Sequence, residues 1–141
     1  MKSISELLTN RSPLTLKGST SALEAARAME KEHVGCLVVV DSAKKPLGVF
    51  TERDLMVRLV VGDLNPAEVQ IQEVMTREPF VMDGTERLLK AAHEMQARHI
   101  RHLPVTESGK LVGVLSLRDL LRALLDEQRD ETSEMRNYIQ G

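Results

Sequence analysis

The sequence predicts an α/β fold, more narrowly α+β, built from two β-α-β-β-α repeats that pack face to face. The first observation is a segment that occurs twice, Gly48–Asp54 and Gly113–Asp119, each with a glycine, an apolar pair, a hydroxyl residue and a terminal Arg-Asp. The second is a regular offset, since the preceding helices lie 66 residues apart and the two segments lie 65 residues apart. Such self-similarity is the signature of an internal repeat. Two units are too few for a solenoid, so we expect them to pack against each other.

The composition is that of an ordinary globular domain, and it disfavours several functions. The 141 residues are 42% hydrophobic and 28% charged, with a net charge of −2. Aromatic residues make up only 2% of the chain, which argues against binding single-stranded nucleic acid by stacking. The balanced charge argues against binding duplex nucleic acid. No apolar run approaches the ~20 residues that span a membrane, and the single cysteine cannot form an intrachain disulfide. With no signal-peptide pattern at the start, a soluble cytoplasmic protein is expected.

The first repeat is predicted over residues 13–64, after a leader of residues 1–12. Its predicted elements are a strand over 13–17, a helix over 21–32, a buried strand over 35–41, a strand over 47–50 and a helix over 51–61. Ser21 and Glu24 have capping-box spacing, which marks the start of the first helix. The β-branched run of the second strand is typical of a strand covered on both faces. Four side chains of the last helix are expected to face inward: Leu55, Met56, Leu59 and Val60.

The second repeat is predicted over residues 77–126, after a linker of residues 65–76. Its predicted elements are a strand over 79–82, a helix over 86–98, strands over 103–106 and 111–115, and a helix from Ser116. The side chains expected to face inward are Leu88, Leu89, Ala92, Met95, Leu120, Leu121, Leu124 and Leu125. A charged tail over residues 127–141 carries Met135, Tyr138 and Ile139 at helical spacing, which fits either a frayed helix or a short helix docked on a partner subunit.

The doubled segment has two interpretations, which are compatible with each other. Thr51–Asp54 and Ser116–Asp119 both fit the capping-box spacing, so each can simply begin a helix. A helix N-terminus also presents unpaired N–H groups and partial positive charge, which suit a phosphate. A carboxylate one turn into the helix can accept the hydroxyls of a ribose, as acidic residues do in dinucleotide-binding folds. Arg53 and Arg118 add positive charge, so the segment predicts two related nucleotide-binding clefts.

The remaining polar residues give no catalytic or metal-binding pattern. His93, His99 and His102 have no spacing that pairs them with a cysteine or carboxylate cluster, so no metal site is predicted. Cys36 lies in an apolar strand and is expected to be a small core residue. No nucleophile is paired with a base, which makes an enzyme of nucleotide metabolism the least favoured function.

With these motifs in place, the chain resembles a tandem cystathionine-β-synthase (CBS) domain pair, also called a Bateman module. The resemblance extends from about Leu14 to Leu125. It is carried by Val34–Asp41, Gly48–Asp54, Val74–Thr76, Ile100–Val105 and Gly113–Asp119. The resemblance implies that the repeats pack through their sheets with pseudo-two-fold symmetry and leave two clefts. Each cleft would combine the ribose-binding aspartate of one repeat with the base-binding strand entry of the other.

The resemblance also implies two sets of ligand-binding residues. The main cleft is expected to contain Val49, Thr51, Asp54, Phe80, Val81, Ile100, Arg101, His102, Pro104 and Arg118. The second, weaker cleft is expected to contain Thr15, Leu16, Val34, Gly35, Cys36, Val38, Arg53, Val114, Ser116 and Asp119. The second cleft has only Arg53 for positive charge in this assignment, and Val38 stands where the family pattern has proline. An anionic adenine nucleotide is therefore expected in the Asp54 cleft.

The favoured function is a non-enzymatic, energy-sensing regulatory module that binds AMP, ADP or ATP and signals to a partner protein. S-adenosylmethionine and NAD are further candidate ligands, and no catalytic cofactor, nucleic acid or membrane is expected. The alternative is a ligand-free dimeric interaction scaffold with vestigial clefts. The helices that open at Thr51 and Ser116 are apolar on more than one face, which favours a homodimer. The sequence does not identify the client protein.

Overall fold

The computed structural model describes residues 2–8 and 11–140, with side chains described as far as residue 130. The first half contains α1 (Ile4–Leu7), α2 (Ala22–Glu32), β1 (Cys36–Val40), β2 (Pro46–Thr51), α3 (Glu52–Asp54) and a π-helix (Leu55–Val61). The second half contains α4 (Ile71–Val74), β3 (Thr76–Arg77), β4 (Met82–Asp83), α5 (Leu88–Arg98), β5 (His102–Glu107), β6 (Lys110–Ser116) and α6 (Leu117–Gln140). The predicted mixture of helices and strands in two similar halves is confirmed.

The strands form two three-stranded sheets, the first of which includes β3 from the segment that connects the two halves. The first sheet has the order β1-β2-β3 with antiparallel pairs, and the second has the order β4-β5-β6, in which β4 is parallel to β5. The strand predicted over residues 13–17 contracts to a single parallel bridge between Thr15 and Val38. Its counterpart in the second half, Met82–Asp83, makes the same kind of parallel contact with β5 over two residues. Strands this short still fix the path by which the chain enters each repeat.

The two halves have the same local geometry where the chain leaves a helix and enters the next strand. α2 ends at His33 and α5 ends at His99, both in the left-handed region with φ of 55° and 54°. In both cases the next residue donates its N–H to the fourth-last helical carbonyl at 3.0 Å, from Val34 to Met29 and from Ile100 to Met95. This is the Schellman pattern, which caps the helix and turns the chain sharply. It places the start of β1 and of β5 at equivalent positions in the two repeats.

The structure has two hydrophobic cores, and α1 belongs to the second. Ile4 and Leu8 pack with Leu88, Leu103 and Leu120 in the core of the second half. Ile4 donates its N–H to the carbonyl of Glu86 at 3.0 Å, and Ser5 donates to that of Gly84 at 2.9 Å. The segment that the sequence assigned to a leader therefore covers the second repeat, although it precedes the first in the chain.

Several side chains predicted to face inward are exposed instead. In the π-helix only Leu59 is fully buried, whereas Met56 and Val60 are 56% and 70% exposed. A π-helix bonds residue i to i+5, so its buried stripe does not follow the 3.6-residue period from which these residues were chosen. In the α-helices, the residues that face outward against prediction are Leu89, Leu121 and Leu125. These exposed residues lie beside fully buried ones, because the core contacts only a narrow face of each helix.

The backbone of α6 continues to Gln140, through the tail that the sequence analysis separated. The side chains of Met135, Tyr138 and Ile139 lie outside the described part of the structure, so the docking of that stripe stays a prediction. Among the helices of the described residues, none combines the length and apolarity that a membrane crossing requires.

Candidate functional site

The larger of two clefts lined by both halves opens at Asp54. It has a volume of about 510 Å³, which is within the ~300–1,000 Å³ range of small-molecule pockets. The residues that line it are Val49, Thr51, Glu52, Arg53, Asp54, Met56, Thr76, Pro79, Phe80, His99, Ile100, Arg101, His102 and Pro104. The first half therefore supplies the end of β2 and all of α3, and the second half supplies the entry to β5. We call this the Asp54 cleft.

The polar end of the Asp54 cleft is a complete capping box. Asp54 donates its N–H to Thr51 Oγ1 at 3.2 Å, and its Oδ2 accepts the N–H of Thr51 at 2.9 Å. Arg58 Nε lies 3.4 Å from Asp54 Oδ1, and the same side chain donates to the carbonyl of Val74 at 2.9 Å. The capping interpretation is thus confirmed at Thr51. A carboxylate has about four lone-pair sites, so the Asp54 carboxylate is held in place and still has capacity to accept a ligand hydroxyl.

Another part of the lining of the Asp54 cleft is apolar, and a cation–π contact restrains one of its side chains. Phe80, Ile100 and Pro104 form this apolar wall. The guanidinium of Arg98 lies 3.7 Å from the centroid of the Phe80 ring, a cation–π contact that restrains the ring. The cleft thus offers a hydrogen-bond acceptor and a flat apolar surface, which is the combination that a ribose and a base require.

His102 lies at the junction of the two clefts and lines both of them. Burial lowers the pKa of His102, the carboxylate of Glu52 opposes that shift, and Arg101 adds to it. Gly35 faces the same junction, since a Cβ at that position would lie 2.9 Å from Glu52 Oε1 and 3.4 Å from His102 Cε1. The absence of a side chain at residue 35 therefore lets residues from both halves approach there.

The second cleft opens at Asp119 and has a volume of about 370 Å³. The residues that line it are Arg11, Ser12, Pro13, Leu14, His33, Val34, Gly35, Cys36, His102, Val114, Ser116, Arg118, Asp119 and Arg122. Ser116 Oγ accepts the N–H of Asp119 at 3.1 Å, which is half of a capping box. The carboxylate of Asp119 is bound by the guanidinium of Arg11. We call this the Asp119 cleft.

The structure brings together most, but not all, of the residues predicted for each cleft. Eight of the ten predicted residues line the Asp54 cleft: Val49, Thr51, Asp54, Phe80, Ile100, Arg101, His102 and Pro104. Six of the ten line the Asp119 cleft: Val34, Gly35, Cys36, Val114, Ser116 and Asp119. The crossed arrangement, in which the aspartate of one repeat faces the strand entry of the other, is therefore present in both clefts.

The two arginines of the doubled segment lie in the opposite clefts from those predicted. Arg53 lines the Asp54 cleft and Arg118 lines the Asp119 cleft, so each arginine lies in the cleft of its own aspartate. Four other predicted residues do not line their assigned cleft: Val81, Thr15, Leu16 and Val38. Val38 is fully buried in β1 and Leu16 packs on the first core. Thr15 bridges to Val38, while Val81 precedes the short strand β4.

Sequence reasoning assigned eleven of the lining residues to neither cleft: Glu52, Met56, Thr76, Pro79 and His99 in the Asp54 cleft, and Arg11, Ser12, Pro13, Leu14, His33 and Arg122 in the Asp119 cleft. His33 and His99 are the left-handed residues that end α2 and α5, and their offset of 66 residues in the sequence could have identified them as a pair. Arg122 lies four residues after Arg118 and so shares its helical face. Arg11 had no local signal, because its partner Asp119 is 108 residues away in the chain.

The remaining expectations concern cysteine and metal. Cys36 is buried, as predicted for a core residue, and burial together with the Asp54 carboxylate raises the pKa of its thiol to about 12. That thiol is therefore not a nucleophile at neutral pH. Within the described residues, no cluster of three or more histidine, cysteine or acidic side chains could hold a metal ion.

The fold defines a class of tandem-repeat protein with two clefts between its repeats. The family model of the CBS domain matches residues 4–61 and 71–126. The chain therefore belongs to the CBS domain family. The mitochondrial CBS domain-containing protein CBSX3 of Arabidopsis thaliana is 31% identical over 122 residues, which cover 84% of this chain and 59% of that relative. The chain thus spans about three fifths of CBSX3.

Solved structures of CBS domain proteins have the same fold. The CBS domain protein PAE2072 from Pyrobaculum aerophilum, in complex with AMP, has a TM-score of 0.79 and is 35% identical, over 89% of this chain and 96% of that one. The CBS domain pair of protein MJ0100, in complex with 5′-methylthioadenosine and S-adenosyl-L-methionine, has a TM-score of 0.78 and is 25% identical, over 87% and 99% of the two chains. MJ0100 contains a CBS domain pair, which is the arrangement that the doubled segment predicts for this chain.

Proposed function

We propose that this chain is a non-enzymatic regulatory module that binds an adenosine compound in the Asp54 cleft and passes the signal to a partner protein. The observation that carries the proposal is the geometry of that cleft. The fixed carboxylate of Asp54 and the apolar wall of Phe80, Ile100 and Pro104 line the same volume of about 510 Å³. The carboxylate would accept a ribose hydroxyl while the wall packs on adenine.

The comparisons support an adenosine compound over other nucleotides. PAE2072 was solved with AMP, and MJ0100 with S-adenosyl-L-methionine and 5′-methylthioadenosine. These ligands share adenine and ribose and differ in charge, so the shared part is the one that the cleft must recognise. AMP, ADP, ATP, S-adenosylmethionine and NAD all carry it, and each is a candidate regulatory ligand rather than a catalytic cofactor.

A calorimetric panel of these compounds on the intact protein tests the proposal. A ligand that binds only the native state also stabilises it by about 2.7 kcal/mol at a hundredfold excess over Kd, so a thermal shift should accompany binding. The Asp54→Asn substitution keeps an oxygen that can accept the Thr51 N–H but removes the charge, and it should weaken AMP binding at least tenfold. Asp63→Asn, an exposed control outside both clefts, should bind AMP like the wild type. If none of these compounds binds, the proposal is wrong.

A second candidate function is a dimeric interaction scaffold, with or without ligand. It is favoured by the exposed apolar side chains on the helices that follow the two doubled segments: Met56, Val57, Val60, Val61, Leu121 and Leu125. Burying such surface against a second copy would remove it from water. Sedimentation velocity at micromolar concentration should show a homodimer, and Val60→Asp should convert it to a monomer. A wild-type monomer would contradict this function.

The compartment and the client protein stay predictions as well. We place the module in the cytoplasm on the sequence pattern alone, and the name of CBSX3 shows that a relative is mitochondrial. Fluorescent tagging in the source cell tests the location. Affinity capture with and without AMP would identify a client whose binding depends on the ligand.

A further inference from the structure

The two clefts differ in charge, and the difference is opposite to the one expected from the sequence. The Asp54 cleft is lined by two arginines, Arg53 and Arg101, and by two carboxylates, Glu52 and Asp54. The Asp119 cleft is lined by three arginines and by one carboxylate. Each cleft also has two histidines, one of which is the shared His102. The Asp119 cleft therefore has an excess of positive charge, whereas the Asp54 cleft is balanced.

We propose that the Asp119 cleft is the site for the more highly phosphorylated ligand, a nucleoside di- or triphosphate, with Arg11 and Arg122 as its specificity-determining residues. This inference rests on the proposed function, because it assumes that both clefts recognise the same nucleoside. The Asp54 cleft then serves adenosine compounds with little or no phosphate charge. The two sites of one chain would thus respond to different members of the same ligand series.

The arrangement of the three arginines supports a phosphate chain. Arg118 and Arg122 lie on the same face of α6, four residues apart. Both are exposed, and neither has an ion pair with any described side chain. Guanidinium groups bind phosphate oxygens through paired N–H donors, which makes arginine the usual residue for this recognition. α6 itself is 24 residues long, so its N-terminus adds partial positive charge next to these side chains.

Arg11 holds the carboxylate that would accept the ribose. Its guanidinium is bound to Oδ2 of Asp119. Because a carboxylate has about four lone-pair sites, Asp119 can accept a ribose hydroxyl while it stays paired with Arg11, whose other N–H donors then face a phosphate. A phosphate gains charge-assisted hydrogen bonds from Arg11 that a phosphate-free nucleoside cannot make, so the nucleoside binds more weakly.

Acidic residues border the Arg122 end of the Asp119 cleft. Asp126, Glu127 and Asp130 line a smaller neighbouring cavity of about 210 Å³ between α1 and α6. That cavity shares Arg11, Asp119 and Arg122 with the Asp119 cleft, but its three further carboxylates do not line the cleft itself. Asp126 lies one turn of α6 after Arg122, whereas all three carboxylates lie at least two turns after Arg118, so the excess of positive charge is greatest at the Arg118 end.

Titration calorimetry on the intact protein, with Asp54→Asn in the background to weaken the other cleft, tests the proposal. The probes are adenosine, AMP, ADP and ATP, with chelator present to remove magnesium. We expect affinity to rise along the series, with ATP at least tenfold tighter than adenosine, and the advantage of ATP to shrink as salt is raised. Arg11→Gln and Arg122→Gln should each remove most of the ATP advantage, measured as the ratio of the ATP affinity to the adenosine affinity of the same variant. Arg27→Gln, on the exposed face of α2, is the matched control.

The complementary variant separates the two proposals. In Asp119→Asn, where the Asp54 cleft remains, affinities along the series should differ by less than threefold. A flat series in Asp54→Asn, or an ATP affinity unaffected by both arginine substitutions, overturns the inference while AMP binding to Asp119→Asn still supports the proposed function. If neither single-aspartate variant nor the wild type binds any of the four compounds, both proposals are wrong.

Discussion

Replacing Ile4 by alanine tests whether α1 is part of the core of the second half. Ile4 is fully buried and packs against Leu88, Leu103 and Leu120. The substitution removes three carbon atoms, worth about 0.8 kcal/mol each in lost transfer free energy. The cavity left behind adds to this loss when the surroundings cannot collapse. The free energy of unfolding should therefore fall by about 3–4 kcal/mol.

Urea unfolding followed by far-ultraviolet circular dichroism measures this change, with the slope against urea concentration serving as a check on two-state behaviour. Leu47→Ala is the control, because Leu47 is 43% exposed and its truncation should cost less than about 1 kcal/mol. A loss for Ile4→Ala below about 1.5 kcal/mol would refute the reasoning. It would mean that α1 can leave the second core with little effect on its stability.

Three further predictions concern the cleft and its surroundings. Thr51→Ala removes the hydroxyl oxygen that accepts the Asp54 N–H at the helix N-cap, and it should lower the free energy of unfolding by about 1 kcal/mol. Thr51→Ser should restore the lost stability. Equal losses for the two variants in chemical denaturation would contradict the capping role. The lowered pKa of His102 means that the unfolded state binds a proton first as pH falls from neutral through 6.5. The free energy of unfolding should therefore decrease as pH falls through that window, and His102→Gln should make it less dependent on pH. An unchanged pH dependence in His102→Gln would show that another group titrates. Gly48→Ala places a Cβ against the Met75 side chain and should lower the thermal midpoint by several degrees in differential scanning calorimetry. The double variant Gly48→Ala/Met75→Ala should recover part of that loss. An unchanged midpoint for Gly48→Ala would mean that Met75 moves aside.

The parts of the site that follow from local pattern were predictable from the sequence. The doubled segment fixes a strand end, a helix start and an aspartate in one stretch of seven residues, so the positions of Thr51, Asp54, Ser116 and Asp119 follow from it. The crossed pairing of these segments with the entries to β1 and β5 came from the family resemblance, and the structure places them together in the same way.

The parts that depend on tertiary contact were not predictable in this way. Arg11 reaches Asp119 only because α1 is docked on the second core, and a contact over 108 residues leaves no periodic trace. Met56 and Val60 were assigned to the core because the 3.6-residue period was assumed, whereas the chain forms a π-helix there. The direction of Arg53 and Arg118 depends on how each helix start faces its cleft, which spacing alone does not determine.

The docking of α1 also sets an order of events during synthesis. Its backbone partners at Gly84 and Glu86, and its core partner Leu120, lie about 80 to 115 residues further along the chain. At ribosomal rates of ~5–20 residues per second, Ile4 stays without its partners for on the order of ten seconds. The first repeat can form its own core during that delay. The core of the second repeat is completed only when α1 packs against it. The ion pair of Arg11 with Asp119 can therefore form only after both repeats have been synthesised, whereas the first core can assemble earlier.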